Sequence, residues 1–216
     1  MNLAEITPNP TDRALIIGQT GSGKTTLART LLNQRRYVVI LDTKGQIRWP
    51  EFELIRNAND LAATKTEKIL FIPPYEWTRN TSEIDAFFRW IYERQHTTVY
   101  IDELAAVTEG DQYPFHLGAC FMRGRELGIE VWASTQRPLR IPQVALSESE
   151  HVYCFRLRLP QDRQRVEAVG GIPQSQVERL RKFDFLYSRQ SDEVLGPYRL
   201  KLEAPTSTPT IQRKAS

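Results

Sequence analysis

Residues 18–25 constrain this chain more than any other stretch. They read Gly-Gln-Thr-Gly-Ser-Gly-Lys-Thr and satisfy the pattern G-x-x-x-x-G-K-[ST] at every specified position. The apolar run 14–17 before them predicts a buried strand, and leucines at helical spacing in 24–32 predict a helix after them. A glycine-rich turn between a strand and a helix N-terminus directs backbone N–H groups at phosphate oxygens. The sequence therefore predicts a phosphate-binding loop.

The motif of this loop indicates which residues would bind ATP and Mg²⁺. Lys24 would reach the β- and γ-phosphates, and the hydroxyl of Thr25 would be a ligand of Mg²⁺. The predicted ATP-binding residues are those of the loop and the start of its helix: Gly18, Gln19, Thr20, Gly21, Ser22, Gly23, Lys24, Thr25 and Thr26. A chance glycine-rich turn is the alternative, but the strand before the loop and the helix after it argue against that interpretation.

A second apolar strand, predicted at 98–101, ends in two carboxylates, Asp102 and Glu103. Downstream of a phosphate-binding loop this is the arrangement of a Walker B segment. Asp102 would bind Mg²⁺, and Glu103 would orient or deprotonate the attacking water. A surface Asp-Glu pair after a strand is the alternative. An acidic residue directly after the magnesium aspartate favours hydrolysis over binding alone.

The order of the predicted elements indicates the fold class. Apolar strands, also predicted at 37–41, 52–55, 69–72, 129–134 and 152–159, alternate with helical segments, among them 115–127. This alternation is typical of an α/β fold, here a RecA-like P-loop NTPase with a mostly parallel central sheet flanked by helices.

The last part of the chain has a different pattern. Segments 183–188 and 198–202, joined through a turn containing Gly196 and Pro197, predict a C-terminal β-hairpin. From residue 203 the chain is rich in proline, threonine and serine, with basic Arg213 and Lys214. We therefore predict a single P-loop ATPase domain over 1–202 and a disordered basic tail over 203–216.

The composition of the chain indicates where the protein is located more clearly than which reaction it catalyses. No apolar run approaches the roughly 18 residues of a transmembrane helix, so no transmembrane segment is expected. The first residues lack the basic and apolar regions of a signal peptide, and two cysteines form no disulfide framework or metal pattern. These features lead us to expect a cytoplasmic protein. The net charge of +3 permits a nucleic-acid partner without requiring one.

Several short motifs resemble, in the same order, those of the FtsK/HerA superfamily of DNA-translocating ATPases. They are Asp-x-Lys-Gly at 42–45, Arg-x-x-Gly-Ile at 125–129, Ser-Thr-Gln-Arg-Pro at 134–138, and Phe-Arg followed by Pro-x-Asp-Arg at 155–163. Each motif alone is weak, but the ordered set, which spans 14–168, is specific. The chain is too short for the membrane segments, winged helix or barrel of cellular members. It therefore resembles the genome-packaging ATPases of tailless icosahedral viruses with an internal membrane.

The resemblance implies a motor that hydrolyses ATP to translocate double-stranded DNA, without sequence preference, into a preformed capsid. It implies that Gln136 is a sensor residue that contacts the γ-phosphate or the attacking water. It also implies that Arg125 is an arginine finger acting on the ATP of the neighbouring subunit, with Arg123 as the rival and Arg137 as a third candidate. A finger that acts in trans implies a homohexameric or homopentameric ring. A capsid or membrane-vertex protein is the expected docking partner, and the expected location is the host cytoplasm or the virion.

DNA contacts are expected from arginines that bind phosphates rather than bases. The candidates are Arg79, Arg137, Arg140, Arg156 and Arg158. Two other functions stay open. One is a plasmid-transfer or filamentous-phage assembly ATPase of the same superfamily, which would normally have a membrane anchor. The other is a P-loop small-molecule kinase or nucleotide switch, which would usually lack a glutamate after the Walker B aspartate.

Overall fold

The computed structural model describes residues 3–189, 193–201 and 210–213. The strands are β1 (Ala14–Ile17), β2 (Val38–Leu41), β3 (Glu53–Ile55), β4 (Lys68–Phe71), β5 (Thr98–Asp102), β6 (Glu130–Thr135), β7 (His151–Phe155), β8 (Asp184–Arg189), β9 (Glu193–Lys201) and β10 (Thr210–Arg213). The α-helices are α1 (Lys24–Leu32), α2 (Ala58–Ala63), α3 (Thr81–Arg94), α4 (Phe115–Arg123), α5 (Gln143–Ser147), α6 (Pro160–Gly170) and α7 (Gln174–Arg179). Short 3₁₀ helices lie at Leu3–Ile6, Tyr75–Arg79, Leu104–Ala106, Gly124–Leu127 and Pro138–Arg140.

The ten strands found in the described residues form one sheet in the order β10-β9-β8-β7-β1-β6-β5-β2-β4-β3. The strands from β7 to β3 in this order pair in parallel, whereas β8, β9 and β10 extend the sheet in antiparallel fashion. The predicted fold class is confirmed. Because the parallel strands run the same way, their carboxyl ends form one edge of the sheet, where ligands of open α/β folds bind.

The central strands are buried because helices and loops cover both faces of the sheet. Every residue of β1, β2 and β7 is buried. On one face, Leu15 and Ile17 pack in a core that includes residues of α3, α4, α5 and α6. On the other face, Ile16 packs with Leu27 and Leu31 of α1. Burial on both faces explains why these strands are continuous apolar runs without alternation.

The helix predicted over 115–127 ends earlier than the sequence pattern suggested. The α-helix stops at Arg123, and the 3₁₀ helix Gly124–Leu127 follows it. A Cβ atom on Gly124 would lie 3.0 Å from the carbonyl oxygen of Ile129, so the chain passes close to itself here. Glycine permits that approach and is also a poor helix former, which accounts for the early end of α4.

The C-terminal hairpin is confirmed, since β8 and β9 pair antiparallel. Its turn was wrongly placed: Gly196 and Pro197 lie inside β9, and the connecting residues 190–192 lie outside the described part of the chain. A register shift between Phe185 and Tyr187 interrupts the pairing opposite this dipeptide. A strand can contain proline at such an irregularity because no ladder hydrogen bond is required there.

The predicted tail also differs in part from the structure. Residues 210–213 form β10, which pairs with β9 from Tyr198 to Lys201. The pairing covers the edge of β9, whose N–H and C=O groups would otherwise lack strand partners. Residues 202–209 and 214–216 lie outside the described residues, and the domain boundary at 202 stays a prediction. In the described ranges, no helix is long and apolar enough to cross a membrane.

Candidate functional site at the carboxyl edge of the sheet

The predicted phosphate-binding loop connects β1 to α1 and is fixed by the strands on either side. The N–H of Gly18 donates to the carbonyl of Thr135, at the end of β6, at 3.1 Å. The N–H of Gln19 donates to the carbonyl of Arg156, just after β7, at 3.3 Å. The loop is therefore anchored to both neighbours of β1, so its shape depends on the sheet as well as on its own glycines.

Two glycines of this loop have no room for a side chain. A Cβ atom on Gly18 would lie 2.6 Å from Cβ of Phe155. Gly23 is the N-cap of α1 with φ of 112°, and a Cβ atom there would lie 2.8 Å from Cδ1 of Leu200. Glycine at these positions allows the backbone to turn against β7 and β9 and to begin α1.

Lys24 is buried within this loop. Its Nζ atom donates to the carbonyl oxygens of Gly18 at 2.7 Å and Gln19 at 3.1 Å. Burial lowers the pKa of Lys24 to about 8, although Glu103 and Asp102 favour its charged form. A cation held in this way can exchange carbonyl oxygens for phosphate oxygens when a nucleotide enters the loop.

Asp102 and Thr25, the two predicted Mg²⁺ ligands, lie side by side. The Thr25 hydroxyl donates to Oδ1 of Asp102 at 3.4 Å, and the same oxygen accepts from Tyr100 at 3.1 Å and Ser134 at 3.4 Å. Burial, followed by the charge of Asp42, raises the pKa of Asp102. Mg²⁺ prefers oxygen ligands, such as those of hydroxyl and carboxylate groups. Its sites usually combine one or two carboxylates with substrate phosphates. The residues present therefore fit Mg²⁺.

Glu103 follows β5 and has a backbone conformation that is uncommon for a non-glycine residue, with φ of 85°. Its Oε1 atom accepts from the Thr135 hydroxyl at 3.0 Å and from the Gln136 N–H at 3.2 Å. Its Oε2 atom lies 3.2 Å from Nζ of Lys44. Backbone conformations of this kind persist where the surroundings hold them, and they are concentrated at functional sites.

Lys44 is a site residue for which no role was predicted. It follows β2, and the Asp42 carboxylate fixes its turn by accepting from the N–H groups of Lys44 at 3.1 Å and Ile47 at 2.7 Å. The Asp-x-Lys-Gly motif contributed only to the resemblance. Lys44 contacts Glu103 because β2 and β5 are neighbours in the sheet. The sequence alone does not show that these two strands are adjacent.

Gln136 lies between the phosphate-binding loop and the Walker B segment. Its Oε1 atom accepts from the Thr20 hydroxyl at 2.7 Å, while its N–H donates to Glu103. This location follows from the sheet order, since β6 lies between β1 and β5. An open cleft of about 400 Å³ adjoins these residues. It is lined by Gln19, Thr20, Gln136, Arg137, Leu157, Arg158, Leu159 and Asp162.

The finger candidates Arg125 and Arg123 lie away from this site. Arg125 pairs with Glu150, which also accepts from the N–H of Arg13 at 2.7 Å and pairs with its guanidinium at 3.0 Å. Glu150 and Arg13 immediately precede β7 and β1, and Arg125 lies in the 3₁₀ helix Gly124–Leu127 that leads into β6. All three therefore lie at the amino edge of the sheet. Crossing the six residues of β6 takes roughly 20 Å. Within one chain, the fold therefore separates these arginines from Lys24 and Glu103.

Four of the five arginines predicted to contact DNA have described side chains, and these four lie at the same edge as the site. Arg140, Arg156 and Arg158 are exposed and follow the carboxyl ends of β6 and β7. Arg137 is partly buried and pairs with Asp162 at 2.9 Å. The side chain of Arg79 lies outside the described part of the structure.

Comparison with known proteins gives related sequences and structures. The chain is 28% identical over 194 residues to the DNA packaging ATPase P9 of Enterobacteria phage PRD1, with 83% of each protein covered. The genome packaging NTPase B204 from Sulfolobus turreted icosahedral virus 2, in complex with AMPPCP, matches with a TM-score of 0.71 and 16% identity. That match covers 87% of this chain and 97% of B204. VirB4 of Thermoanaerobacter pseudethanolicus matches with a TM-score of 0.68 and 10% identity over 90% of each chain.

The sequence relative and the structural matches support different conclusions. No family model matches the chain. The similarity to P9 confirms the resemblance to viral genome-packaging ATPases that the ordered motifs indicated. The structural matches have identities of 16% and 10% and therefore show the fold, that of a P-loop NTPase, rather than the activity.

Proposed function

We propose that this chain is the ATP-hydrolysing motor that packages a viral genome by translocating double-stranded DNA into a preformed capsid. One observation carries the proposal. The carboxyl edge of the sheet brings together four side chains, those of Lys24, Asp102, Glu103 and Gln136. They come together in a chain that is similar to a DNA packaging ATPase. The convergence supplies the groups that hydrolysis of a nucleoside triphosphate needs.

Binding would begin at the phosphate-binding loop. The Lys24 ammonium would leave the carbonyls of Gly18 and Gln19 for the β- and γ-phosphates, and the N–H groups at the start of α1 would face the phosphate chain. Thr25 and Asp102 would hold Mg²⁺. When bound, that ion neutralises the negative charge that develops on the phosphate oxygens.

Hydrolysis would use Glu103 and Gln136 as a pair. Glu103 would take a proton from the attacking water as the bond from the bridging oxygen to the γ-phosphorus breaks, which produces ADP and phosphate. Gln136 would orient the water or the γ-phosphate. Gln136 accepts from Thr20 of the phosphate-binding loop and donates its N–H to Glu103. It would therefore link the presence of a nucleotide in the loop to the position of Glu103.

A ring would complete the site, because no finger candidate from the amino edge reaches its own nucleotide. Arg125, or Arg123, would instead approach the ATP of a neighbouring subunit in a ring of five or six copies. Support comes from the exposure of the Arg125 side chain, 54%, despite its pairing with Glu150. Because phosphoryl transfer depends on charge stabilisation, such an arginine can increase turnover by about 10³ to 10⁵.

DNA would be held through its phosphates by arginines at the carboxyl edge. Arg140, Arg156 and Arg158 are exposed there, close to the residues that respond to the nucleotide. Contacts of this kind bind any sequence, as a packaging motor requires. The motor would work in the host cytoplasm and would dock on a capsid or membrane-vertex protein of the virion.

The test is the rate of ATP hydrolysis with and without double-stranded DNA. DNA of any sequence should stimulate turnover, and stimulation should fall steeply as salt rises, because binding to phosphates releases counterions. Lys24→Ala should lose both ATP binding and turnover and serves as the control. No response to any DNA, or dependence on one sequence, would contradict the packaging function. Transfer of the γ-phosphate to a small molecule instead of water would indicate a kinase.

A further inference from the structure

We infer that Phe183 forms a stacking platform for the nucleobase of the bound nucleotide. The inference rests on the proposed function, because it assumes that a nucleoside triphosphate occupies the phosphate-binding loop. The ligand class at this position is a planar heteroaromatic base. No role was predicted for Phe183 from the sequence.

The order of strands indicates the side on which the base would lie. The groups that act on the γ-phosphate follow β6 and β5, on one side of β1. A phosphate chain that runs across the loop therefore directs the nucleoside to the other side, where β7, β8 and β9 lie. Phe183 immediately precedes β8, and because β8 runs antiparallel to β7, its first residues lie at the carboxyl edge. Two strand spacings separate β8 from β1, roughly 10 Å.

The Phe183 ring lies against the turn that begins α1. A Cβ atom placed on Gly23 would be 3.3 Å from Cδ1 of Phe183. Gly23 is the residue before Lys24, so the ring lies beside the backbone that binds the phosphates. A base that leaves the phosphate chain on this side would meet an aromatic surface.

The backbone of Phe183 is fixed in a conformation that aromatic residues rarely adopt. Its φ is 69°, in the left-handed region. The carbonyl of Phe183 accepts from the N–H of Leu200 at 3.0 Å, and the N–H of Asp184 donates to the carbonyl of Arg181 at 3.1 Å. Left-handed conformations at bulky residues are concentrated at ligand sites, where the surrounding structure maintains them.

Exposure distinguishes Phe183 from the aromatic residues beside it. Phe155, Phe185 and Tyr198 are buried, whereas Phe183 is half-buried at the margin of the same core. The Nζ atom of the exposed Lys182 lies 4.9 Å from the centroid of the Phe183 ring. A contact between this exposed ammonium and the half-buried ring is weak, so a stacked base can replace it. Aromatic rings bind bases of any identity by stacking, since every base has a π-face.

The experiment compares a ligand that has a base with one that has none. Dissociation constants of ATP, GTP and inorganic tripolyphosphate should be measured for the parent protein and for Phe183→Leu, which keeps an apolar side chain. ATP and GTP should each bind about tenfold more weakly to the variant. Tripolyphosphate should bind both proteins equally. Phe183→Tyr should restore ATP binding, and Phe115→Leu, at a ring that is 76% exposed on α4, should change nothing.

Each result has one meaning. An equal loss for ATP and tripolyphosphate would mean that Phe183 only supports the loop, and an unchanged affinity for ATP would mean that it does not contact the base. Failure of the parent protein to bind either ligand would contradict the proposed function itself. If Phe183→Leu does not fold, Phe183→Trp decides the question. Its added fluorescence should be quenched by ATP and unaffected by tripolyphosphate, and the absence of that difference would overturn the inference.

Discussion

Nζ of Lys44 lies 3.2 Å from Oε2 of Glu103, and this ion pair connects the loop after β2 to the proposed general base. The second carboxylate oxygen of Glu103 is held from β6, by the Thr135 hydroxyl and the N–H of Gln136. Donors from the ends of β2 and β6, the strands on either side of β5, thus hold both oxygens of one carboxylate. Catalysis by a positioned base depends on its orientation, because small displacements of a reacting group reduce the rate strongly.

Lys44→Met should therefore lower kcat for ATP hydrolysis about tenfold while KM changes little. The substitution removes the donor to Oε2 of Glu103 but leaves the phosphate-binding loop intact. Lys44→Arg should retain most of the activity because a guanidinium can donate to the same oxygen. Steady-state kinetics check this, with Lys65→Met, at an exposed lysine, as the matched control. A large increase in KM without a change in kcat would place Lys44 in nucleotide binding instead.

Glu103→Gln should separate binding from chemistry. The amide keeps the shape of the side chain and leaves Asp102 in place, but it cannot take a proton from water. ATP affinity should be close to that of the parent, and hydrolysis should fall by about 10² to 10⁴. Titration with ATP and single-turnover assays measure the two quantities. Glu109→Gln, an exposed residue in the loop that follows, is the control. A parallel loss of binding and turnover would show that Glu103 has a structural role.

The affinity for ATP should depend on pH through Lys24, whose pKa burial lowers to about 8. Below that pH the lysine is charged in the free protein, and affinity should be constant. Above it the free protein has lost this proton, and the phosphates must restore it, because they favour the charged form. Affinity should therefore fall by up to tenfold per pH unit above about 8. Titration calorimetry at pH 9 should detect uptake of a proton, and no uptake at pH 7.

Protein stability should change with pH in the opposite direction. The pKa of Lys24 in the folded protein is depressed from the ordinary lysine value of 10.5 to about 8, so between these values the unfolded chain binds more protons than the folded one. Stability contributed by this group therefore rises with pH across that window. Lys24→Met should lack this increase in stability between about pH 8 and pH 10.5, because it has no ammonium group to titrate. A parent protein whose affinity for ATP is constant from pH 7 to pH 10 would contradict the role of the Lys24 charge.

Candidate site residues with local chemical patterns could be identified from the sequence, and candidates that depend on strand neighbours could not. The loop 18–25, Asp102 and Glu103 occur at a strand end in motifs that are complete within a few residues. Lys44 and Phe183 have no such pattern. Lys44 contacts Glu103 because β2 lies next to β5, and Phe183 reaches the loop because β8 folds back beside β7. Both adjacencies join segments far apart in the sequence.

The errors at the C-terminus have the same origin. Gly196 and Pro197 have the local signature of a turn, but the structure places them within β9, where the pairing with β8 shifts register. Residues 210–213 have the composition of a disordered tail and yet pair with β9. In both places the pairing partner, rather than the intrinsic preference of the segment, determines the structure.

The last prediction concerns Arg125 and connects chemistry to assembly. If its guanidinium completes the site of a neighbouring subunit, activity should rise more than linearly with protein concentration. Arg125→Ala should bind ATP almost as the parent does, since Arg125 lies at the amino edge, far from its own loop. Glu150 would still pair with Arg13, so the substitution leaves no unpaired buried carboxylate. Turnover should nevertheless fall by about 10³ or more.

Mixing two inactive variants provides the decisive measurement. Lys24→Ala subunits retain Arg125, and Arg125→Ala subunits retain Lys24, so a mixed ring contains interfaces at which both groups are present. Partial recovery of ATP hydrolysis on mixing would establish action in trans. Native mass spectrometry should confirm that mixed rings form, and the double variant Lys24→Ala/Arg125→Ala should give no recovery. If mixed rings form and remain inactive, Arg125 is not the finger, and the same experiment with Arg123→Ala and then Arg137→Ala would identify which arginine has that role.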